Sequence, residues 1–350
     1  MNLINSIFEK TYKKNIPLYT VFELTYRCNL NCIHCYIPEK DRNLKELSVC
    51  EIKNILRQLK SAGSLFLVFT GGEIFLRDDL FEILRYARNL KFDLRIFTNG
   101  TLIDRNIAQF LSKIGISGVE ISLYGREKTH DKITQVRGSF QKTYNAVKTL
   151  VEYKIPVVIK LPLMKENFHD YRWIISFSKK FGIKYKLDPV IVPKNNGDMS
   201  VLKHKLKNAQ LRKIFSDREL AVEKPYKFSI SQSYYSYSLT QLLTYSLFCS
   251  AGRNFVGISP EGIVYPCIQF LYPLGDLKKN SFKKIWFNSK RINYLRKMRP
   301  EDCKYCFQCK NNIFCRRCPG LVYLETGSIL GKSKISCSVA KVTEITLTKN

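Results

Sequence analysis

The stretch TVFELTYRCNLNCIHCY, residues 20–36, joins a short apolar run to three cysteines, Cys28, Cys32 and Cys35. The run Thr20–Leu24 has the length and β-branched composition of a buried strand. The thiols follow it as C-x3-C-x2-C, in the loop after this strand. Three thiolates this close can hold a cube-shaped [4Fe–4S] cluster and leave one iron open to an outside ligand. Zinc is the competing metal, and His34 would then have to complete a four-ligand structural site.

Composition narrows the class of protein. The chain has 350 residues, 12 cysteines and a formal net charge of +29, and its 45% hydrophobic content disfavours disorder. It contains no apolar run of the roughly 18 residues that a spanning helix needs, and its N-terminus lacks the apolar region of a secretory signal. We therefore expect a cytoplasmic protein without a membrane span, whose thiols serve metal binding or redox chemistry rather than disulfides.

Five more apolar runs follow the first and alternate with segments of helical period. They are Leu65–Phe69, Leu94–Thr98, Gly118–Leu123, Val157–Leu161 and Lys184–Leu187. The pattern predicts repeated βα units, either in a doubly wound sheet or in an incomplete (β/α) barrel. In both architectures ligands gather at the carboxyl ends of the strands. The turns Thr70–Glu73, Asn99-Gly100 and Tyr124-Gly125 follow three of these runs, so we expect them to lie at the site.

The cysteine triplet with the aromatic Tyr36 behind it resembles the signature of the radical S-adenosylmethionine (SAM) enzymes. The resemblance implies an α/β fold, a partial (β/α)6 barrel of the TIM type, in which SAM binds the open iron of the cluster. It also implies reductive cleavage of SAM to methionine and a 5′-deoxyadenosyl radical, which abstracts a substrate hydrogen. Tyr36 belongs to the SAM site that the resemblance implies.

Three later motifs extend the resemblance. Gly71-Gly72-Glu73 resembles the GGE motif, which implies contact with the SAM amino group, and an anionic partner suits an ammonium. Phe97–Gly100 resembles the TNG motif, which brings Asn99 to the site. Glu120–Gly125 resembles ISLDG and implies that Ser122 lies near the SAM ribose, with Tyr124 standing where Asp is more common. No spacing singles out a catalytic acid or base.

Eight cysteines lie between residues 249 and 337. Their order resembles the SPASM extension of radical SAM enzymes, a small C-terminal cysteine-rich domain with one or two auxiliary [4Fe–4S] clusters. The resemblance assigns to auxiliary cluster I the residues Cys249, Cys267 and Cys318, and to auxiliary cluster II the residues Cys306, Cys309, Cys315 and Cys337. Cys303 is an extra thiol that could complete cluster I or shift the assignment within 303–318. On their own, the C-x2-C pairs would also fit a zinc ribbon.

The cysteine distribution indicates two thiol-bearing regions, and the resemblance implies a radical SAM barrel over residues 1–215, a linker over 216–244 and a SPASM domain over 245–350. The Ser/Tyr-rich residues 229–245 are expected to bridge the two domains, with a substrate-contacting segment as the alternative. Residues 278–299 predict one basic amphipathic helix docked against the cluster domain, with an acidic partner, nucleic acid or a membrane surface as alternatives. Cys50, at the start of a helical pattern, is expected to be a small buried residue.

We expect an oxidoreductase that modifies a peptide or protein residue, similar to the maturases of ribosomal peptides, with flavodoxin or ferredoxin as electron donor. The alternative within the family is a tetrapyrrole- or small-molecule-modifying enzyme similar to the haem-pathway decarboxylases. The alternative from another class is a zinc-containing nucleic-acid-binding protein, which the net charge of +29 suggests. No nucleic-acid-binding motif accompanies that charge, so a nucleic-acid partner is not expected.

Overall fold

The computed structural model describes residues 3–221 and 249–348. Six strands carry the first part of the chain, and each lies within two residues of an apolar run in the sequence. Their bounds are β1 Tyr19–Thr25, β2 Phe66–Gly71, β3 Asp93–Thr98, β4 Gly118–Ser122, β5 Val157–Pro162 and β6 Lys184–Asp188. The prediction of six βα units is confirmed.

The six strands are hydrogen-bonded in sequential order, from β6 through to β1, and every pair among them is parallel. A doubly wound sheet would reverse its direction of growth at a switch point, and this series has none. With right-handed crossovers, sequential addition places the connecting helices on one face of the sheet. The partial (β/α)6 barrel is therefore confirmed, and the doubly wound alternative is wrong.

The helices of this half bury the apolar faces that the sequence indicates. Their bounds are α1 Leu3–Lys13, α2 Val49–Ser61, α3 Leu80–Asn89, α4 Arg105–Lys113, α5 Glu127–Thr134, α6 Ser139–Glu152, α7 Tyr171–Lys180, α8 Asn208–Phe215 and α9 Arg218–Ala221. In α2 the buried positions include Ile52 and Ile55. Cys50 is exposed, so its expected burial is wrong. Helical geometry explains the error, because Cys50 lies on the face opposite to the buried residues.

Beyond β1, the sheet continues into the C-terminal cysteine region. Strand β7, Phe255–Ile258, pairs in parallel with β1, and the antiparallel strands β8 Ile263–Tyr265 and β9 Gly275–Asp276 follow it. The rings of Tyr19 and Phe255 stack across the β1–β7 junction with centroids 4.9 Å apart. Within the described residues, a single nine-stranded sheet thus links the strand before the N-terminal triplet to the region of the later cysteines.

The basic stretch 278–299 forms two helices, α10 Phe282–Asn288 and α11 Lys290–Lys297, so the expected single helix is wrong. Ser289 has an extended backbone, and its hydroxyl accepts a hydrogen bond from the Ile292 N–H to begin α11. The buried residues of α10, Phe282, Ile285 and Trp286, belong to the same apolar cluster as the barrel core. The Trp286 indole N–H donates to the Asn15 carbonyl at 2.7 Å. The remaining helices described are α12 Lys304–Phe307, α13 Pro319–Thr326 and α14 Lys334–Leu347.

The boundaries of the three expected segments stay a prediction. Of the expected linker, residues 216–221 are described, and they include α9. The Ser/Tyr-rich residues 229–245 lie outside the described residues. Across the two described ranges, every helix falls short of the length and apolarity that crossing a bilayer requires.

Candidate active site

Gly71 and Gly72 bring the end of β2 against the backbone that leads into the cysteine loop. A Cβ on Gly71 would lie 2.0 Å from the Thr25 carbonyl oxygen, and a Cβ on Gly72 would lie 2.2 Å from that of Arg27. The N–H groups of Gly72 and Glu73 donate to these same two carbonyls, each at 2.8 Å. Glycine is required at both positions because backbone fills the space of a side chain. The contact fixes the chain just before the first cysteine.

Glu73 is fully buried and joins two of the motifs. Its carboxylate accepts hydrogen bonds from the Thr98 hydroxyl and from the Asn99 N–H, both at 2.8 Å, and from the Phe75 N–H at 3.2 Å. Burial raises the pKa of Glu73, while these donors act in the opposite direction. The carboxylate thus ties the end of β2 to the turn after β3, and its contact with SAM stays a prediction.

Asn99 carries this connection on to the cysteines. Its side-chain amide donates to the Asn29 side-chain oxygen at 2.8 Å and lies 3.9 Å from the Cys28 sulfur. Its own carbonyl oxygens are also engaged, because Thr101 and Thr143 donate to them. The Asn99 amide nitrogen therefore connects the turn after β3 to the start of the cysteine loop, while Thr101 orients the side chain through its oxygen.

The three loop cysteines are half-buried beside one another. Burial raises the pKa of the Cys28 thiol and raises that of Cys32 to about 12, and the neighbouring thiols add to both effects. Neighbouring thiolates repel one another, so a bound cation is needed to hold Cys28 and Cys32 deprotonated. This donor set fits an iron–sulfur cluster at the carboxyl end of β1.

The zinc alternative would need His34 as a fourth ligand. The His34 ring instead meets the Tyr124 ring edge-on, with centroids 4.9 Å apart, and its buried Nδ1 has no hydrogen-bond partner. Within residues 3–221 and 249–348, no three His, Cys, Asp or Glu side chains converge on a site for a single metal ion.

Tyr124, which follows β4, has a contact that sequence reasoning missed. Its hydroxyl lies 3.9 Å from the Cys32 sulfur, and its backbone N–H donates to His130 Nδ1 at 3.2 Å. The two rings also stack, with centroids 5.3 Å apart. Because this position commonly carries Asp, the sequence predicts no polar role for the tyrosine, yet its hydroxyl reaches the second cysteine. Ser122 lies two residues earlier, half-buried at the end of β4.

Glu23 is the second residue that the sequence did not indicate. It lies on β1, is 1% exposed, and accepts hydrogen bonds from the hydroxyls of Tyr36 at 2.9 Å and Tyr26 at 3.0 Å. Burial raises the pKa of Glu23 to about 7 against the lowering effect of the two hydroxyls. A charged residue within an otherwise apolar strand was the available signal, because such residues are rarely buried without partners. Glu23 holds Tyr36 in place behind the triplet.

The C-terminal thiols fall into two groups. Burial and then the Cys318 thiol raise the pKa of Cys249, to about 12. Burial likewise raises the pKa of Cys267, and the Cys249 and Cys318 thiols add to the effect. In the second group, the thiols that raise the pKa of Cys315 beyond the effect of burial are Cys337, Cys306 and Cys309. All twelve cysteines of the chain are free thiols.

This grouping matches the two ligand sets that the resemblance assigned, and the assignment itself stays a prediction. Cys303 stands apart, because it is 2% exposed among apolar neighbours such as Phe270 and Met298. The cysteine that raises its pKa, after burial, is Cys306 of the second group.

Comparison with known proteins decides the class. The family profile of the Radical SAM superfamily matches residues 22–177, and the SPASM profile, an iron–sulfur cluster-binding domain, matches residues 249–310. The PqqA peptide cyclase of Bradyrhizobium diazoefficiens is 30% identical over 308 residues, which cover 83% of this chain and 79% of the cyclase. The chain belongs to the radical SAM superfamily. It is therefore an enzyme of the SPASM type, and the zinc-containing nucleic-acid-binding alternative is dropped.

Two further proteins match over most of their length. The AdoMet-dependent heme synthase of Methanosarcina barkeri is 26% identical over 333 residues, 90% of this chain and 95% of the synthase. The structure of Streptococcus suis SuiB bound to S-adenosylmethionine superposes with a TM-score of 0.72 at 21% identity, over 94% of this chain and 80% of SuiB. SuiB bound to its precursor peptide SuiA gives 0.70. This radical SAM enzyme thus shares the SuiB fold, and its family implies SAM and [4Fe–4S] clusters as cofactors.

Proposed function

We propose that this radical SAM enzyme abstracts a hydrogen atom from a residue of a peptide or protein. The observation that carries the proposal is the cysteine loop, residues 28–36, which three other motifs hold at the carboxyl edge of the barrel. Cys28, Cys32 and Cys35 would hold the cluster that binds SAM. When bound, that cluster supplies the electron that splits SAM into methionine and a 5′-deoxyadenosyl radical. The SAM site would be lined by Tyr36, Gly71, Gly72, Glu73, Asn99 and Ser122.

The chain's own residues would pre-organise this site. The Gly72 N–H fixes the backbone before Cys28. The Cys32 thiol donates a weak hydrogen bond to the Tyr124 hydroxyl, and a deprotonated Cys32 would accept one from the same hydroxyl. Donors aimed at sulfur tune the reduction potential of a cluster. Glu73 and Asn99 are buried and hydrogen-bonded to each other, so these two residues are held in position before SAM binds.

The two C-terminal groups of thiols would hold the auxiliary clusters. Auxiliary cluster I would take Cys249, Cys267 and Cys318, and auxiliary cluster II would take Cys306, Cys309, Cys315 and Cys337. Cys303, buried beside Cys306, is the remaining candidate ligand. Clusters here could accept the electron that a substrate radical releases on oxidation. We propose that flavodoxin or ferredoxin supplies the first electron, in the cytoplasm.

The relatives support a peptide substrate. One relative is named as a peptide cyclase, the PqqA peptide cyclase, and SuiB was solved in complex with its precursor peptide SuiA. The net charge of +29 would favour the approach of an acidic leader segment. A tetrapyrrole is the second candidate, supported by the heme synthase of Methanosarcina barkeri, which this chain matches over 95% of the synthase's length.

Anaerobic purification and reconstitution test the proposal. We expect a brown protein with about 8–12 Fe per chain, the content of two to three [4Fe–4S] clusters. Dithionite and SAM should then give 5′-deoxyadenosine. The variant C28A/C32A/C35A should lose this product and retain the absorbance of the auxiliary clusters. A colourless wild-type protein, or 5′-deoxyadenosine from the triple variant, would contradict the proposal.

A further inference from the structure

We propose that Lys160 and Lys186 form a binding site for a carboxylate of the substrate inside the barrel. The inference rests on the proposed function, since it concerns the substrate of that reaction. Along β5 the fully buried side chains alternate with partly exposed ones, and Lys160 belongs to the second set. Because side chains alternate across a strand, Lys160 projects from the face opposite to the helices.

The strand register places the two lysines at the level of the SAM site. Ser122 on β4 pairs with Lys160 on β5, which in turn pairs with Lys186 on β6. Ser122 is the residue that the motif assigns to the SAM ribose. A group bound by the two lysines would therefore lie beside SAM, on the neighbouring strands of the sheet.

One buried carboxylate serves both ammonium groups. Glu120 Oε1 lies 3.0 Å from Lys186 Nζ, and Glu120 Oε2 lies 3.1 Å from Lys160 Nζ. The Glu120 side chain is 3% exposed, whereas the lysine side chains are 25% and 29% exposed. Glu120 thus lies beneath the two lysines, and their ammonium groups are the accessible part of this group of three charged side chains. Among the described residues, Glu120 is the one carboxylate within ion-pair distance of the two ammonium groups, so two positive charges face one negative charge at that range.

Two other charged groups lie nearby. Arg95 on β3 lies 3.6 Å from Asp93. The buried Asp188 on β6 accepts a hydrogen bond from the Val190 N–H at 3.0 Å, and burial raises its pKa to about 6 against the lowering effects of that bond and of the Lys160 charge. The Lys160 ammonium also sits 5.1 Å from the centre of the Phe97 ring. Burial lowers the pKa of Lys186 despite its contact with Glu120. A second carboxylate would relieve that cost.

Two ammonium groups over one buried acid suit a ligand that bears a carboxylate, because charge-assisted hydrogen bonds are the strong ones. Both substrate sources supported above can provide this group. A peptide has Asp, Glu or a C-terminus, and a tetrapyrrole has propionates. The shared chemistry is the carboxylate, and the experiment separates the two sources.

Binding to the reconstituted, SAM-loaded enzyme tests the inference with two pairs of probes. One pair is iron coproporphyrin III and its tetramethyl ester, and the other is acetyl-Ala-Glu-Tyr-amide and its Gln counterpart. We expect the acid of at least one pair to bind about tenfold or more tightly than its neutral partner, the size of one charge-assisted hydrogen bond. Preference in the porphyrin pair identifies a tetrapyrrole source, and preference in the peptide pair identifies a peptide source.

Variants assign that preference to the lysines. K160Q/K186Q should bind acid and neutral probes equally, and K160R/K186R should restore the preference. If the first variant fails to fold because Glu120 is left unpaired, E120Q/K160Q/K186Q supplies the uncharged version of the cluster. K179Q is the matched control, since Lys179 pairs with Glu219 on the outer surface of the protein. It should leave the preference unchanged.

Equal binding of acid and neutral probes in both pairs by the wild-type enzyme would overturn the inference, as would a preference that survives K160Q/K186Q. Failure of the proposed function gives a different result. The wild-type enzyme would then form no 5′-deoxyadenosine, whatever its preference among the probes.

Discussion

The carboxylate of Glu73 accepts a hydrogen bond from the backbone N–H of Asn99 at 2.8 Å, across the gap between β2 and β3. This bond makes the two strand-end motifs one unit, and Asn99 extends the unit to Cys28. The local order of the site therefore depends on an acid that is 0% exposed.

Replacing Glu73 tests that dependence. In E73Q, the new amide can replace only one of the two acceptor oxygens, so a buried donor loses its partner. We expect the free energy of unfolding to fall by about 1–3 kcal/mol, the cost of an unsatisfied buried group. Chemical denaturation of the reconstituted enzyme measures the change. E82Q is the control, because Glu82 is an exposed partner of Lys53 on the outside of the barrel. Equal stability of the two variants would contradict the role of Glu73.

Glu23 predicts a pH dependence of stability. Its pKa is raised from 4.5 to about 7 in the folded protein, chiefly by burial. Between these two values the folded state binds more protons than the unfolded state, so stability falls as pH rises. The shift corresponds to roughly 3 kcal/mol, present below about pH 4.5 and lost by about pH 7. The variant E23Q should unfold with a shallower pH slope than the wild type over this window. Parallel slopes would show that Glu23 does not titrate there.

Adding one methyl group at Gly71 is expected to destabilise the protein severely. G71A places a Cβ 2.0 Å from the Thr25 carbonyl oxygen, at a φ of +140°. Because the backbone cannot move aside without a large cost, we expect the free energy of unfolding to fall by more than about 4 kcal/mol. We also expect the variant to bind less iron. G182A is the matched control, because Gly182 has a φ of +63° and nothing within 4 Å of its Cβ position. Its cost should stay near 1–2 kcal/mol, the conformational strain alone. A G71A protein as stable as G182A would refute the close contact.

Arg317 predicts a shift in reduction potential. It is 7% exposed, and its Nε and one terminal nitrogen are buried with no hydrogen-bond partner. Its charge lowers the pKa values of Cys303, Cys315 and Cys318, opposing the effect of burial. We expect R317Q to move the auxiliary midpoint potentials to more negative values, because a positive charge favours the reduced cluster. Redox titration followed by EPR measures this. R316Q, on an exposed neighbour, should leave the potentials unchanged.

Local patterns in the sequence predicted the six strands and the turns at their ends. Periodicity could not choose between a barrel and a doubly wound sheet, because strand order is a property of the tertiary structure. Cys50 was misplaced because its exposure depends on the phase of the helix, and the break at Ser289 depends on a single capped turn. The role of Glu23 could not be predicted, because its partners Tyr26 and Tyr36 come close to it only when the cysteine loop folds back.

The pairing of β1 with β7 has a consequence for biogenesis. Tyr19 meets Phe255, so the outer edge of β1 has no partner until most of the chain has left the ribosome. An exposed strand edge is a template for association with other chains, and such distant pairings slow folding. The β1 edge of the nascent barrel therefore stays exposed and prone to association until the segment containing β7 has been synthesised. Truncation before Phe255 should yield aggregates rather than a smaller working barrel.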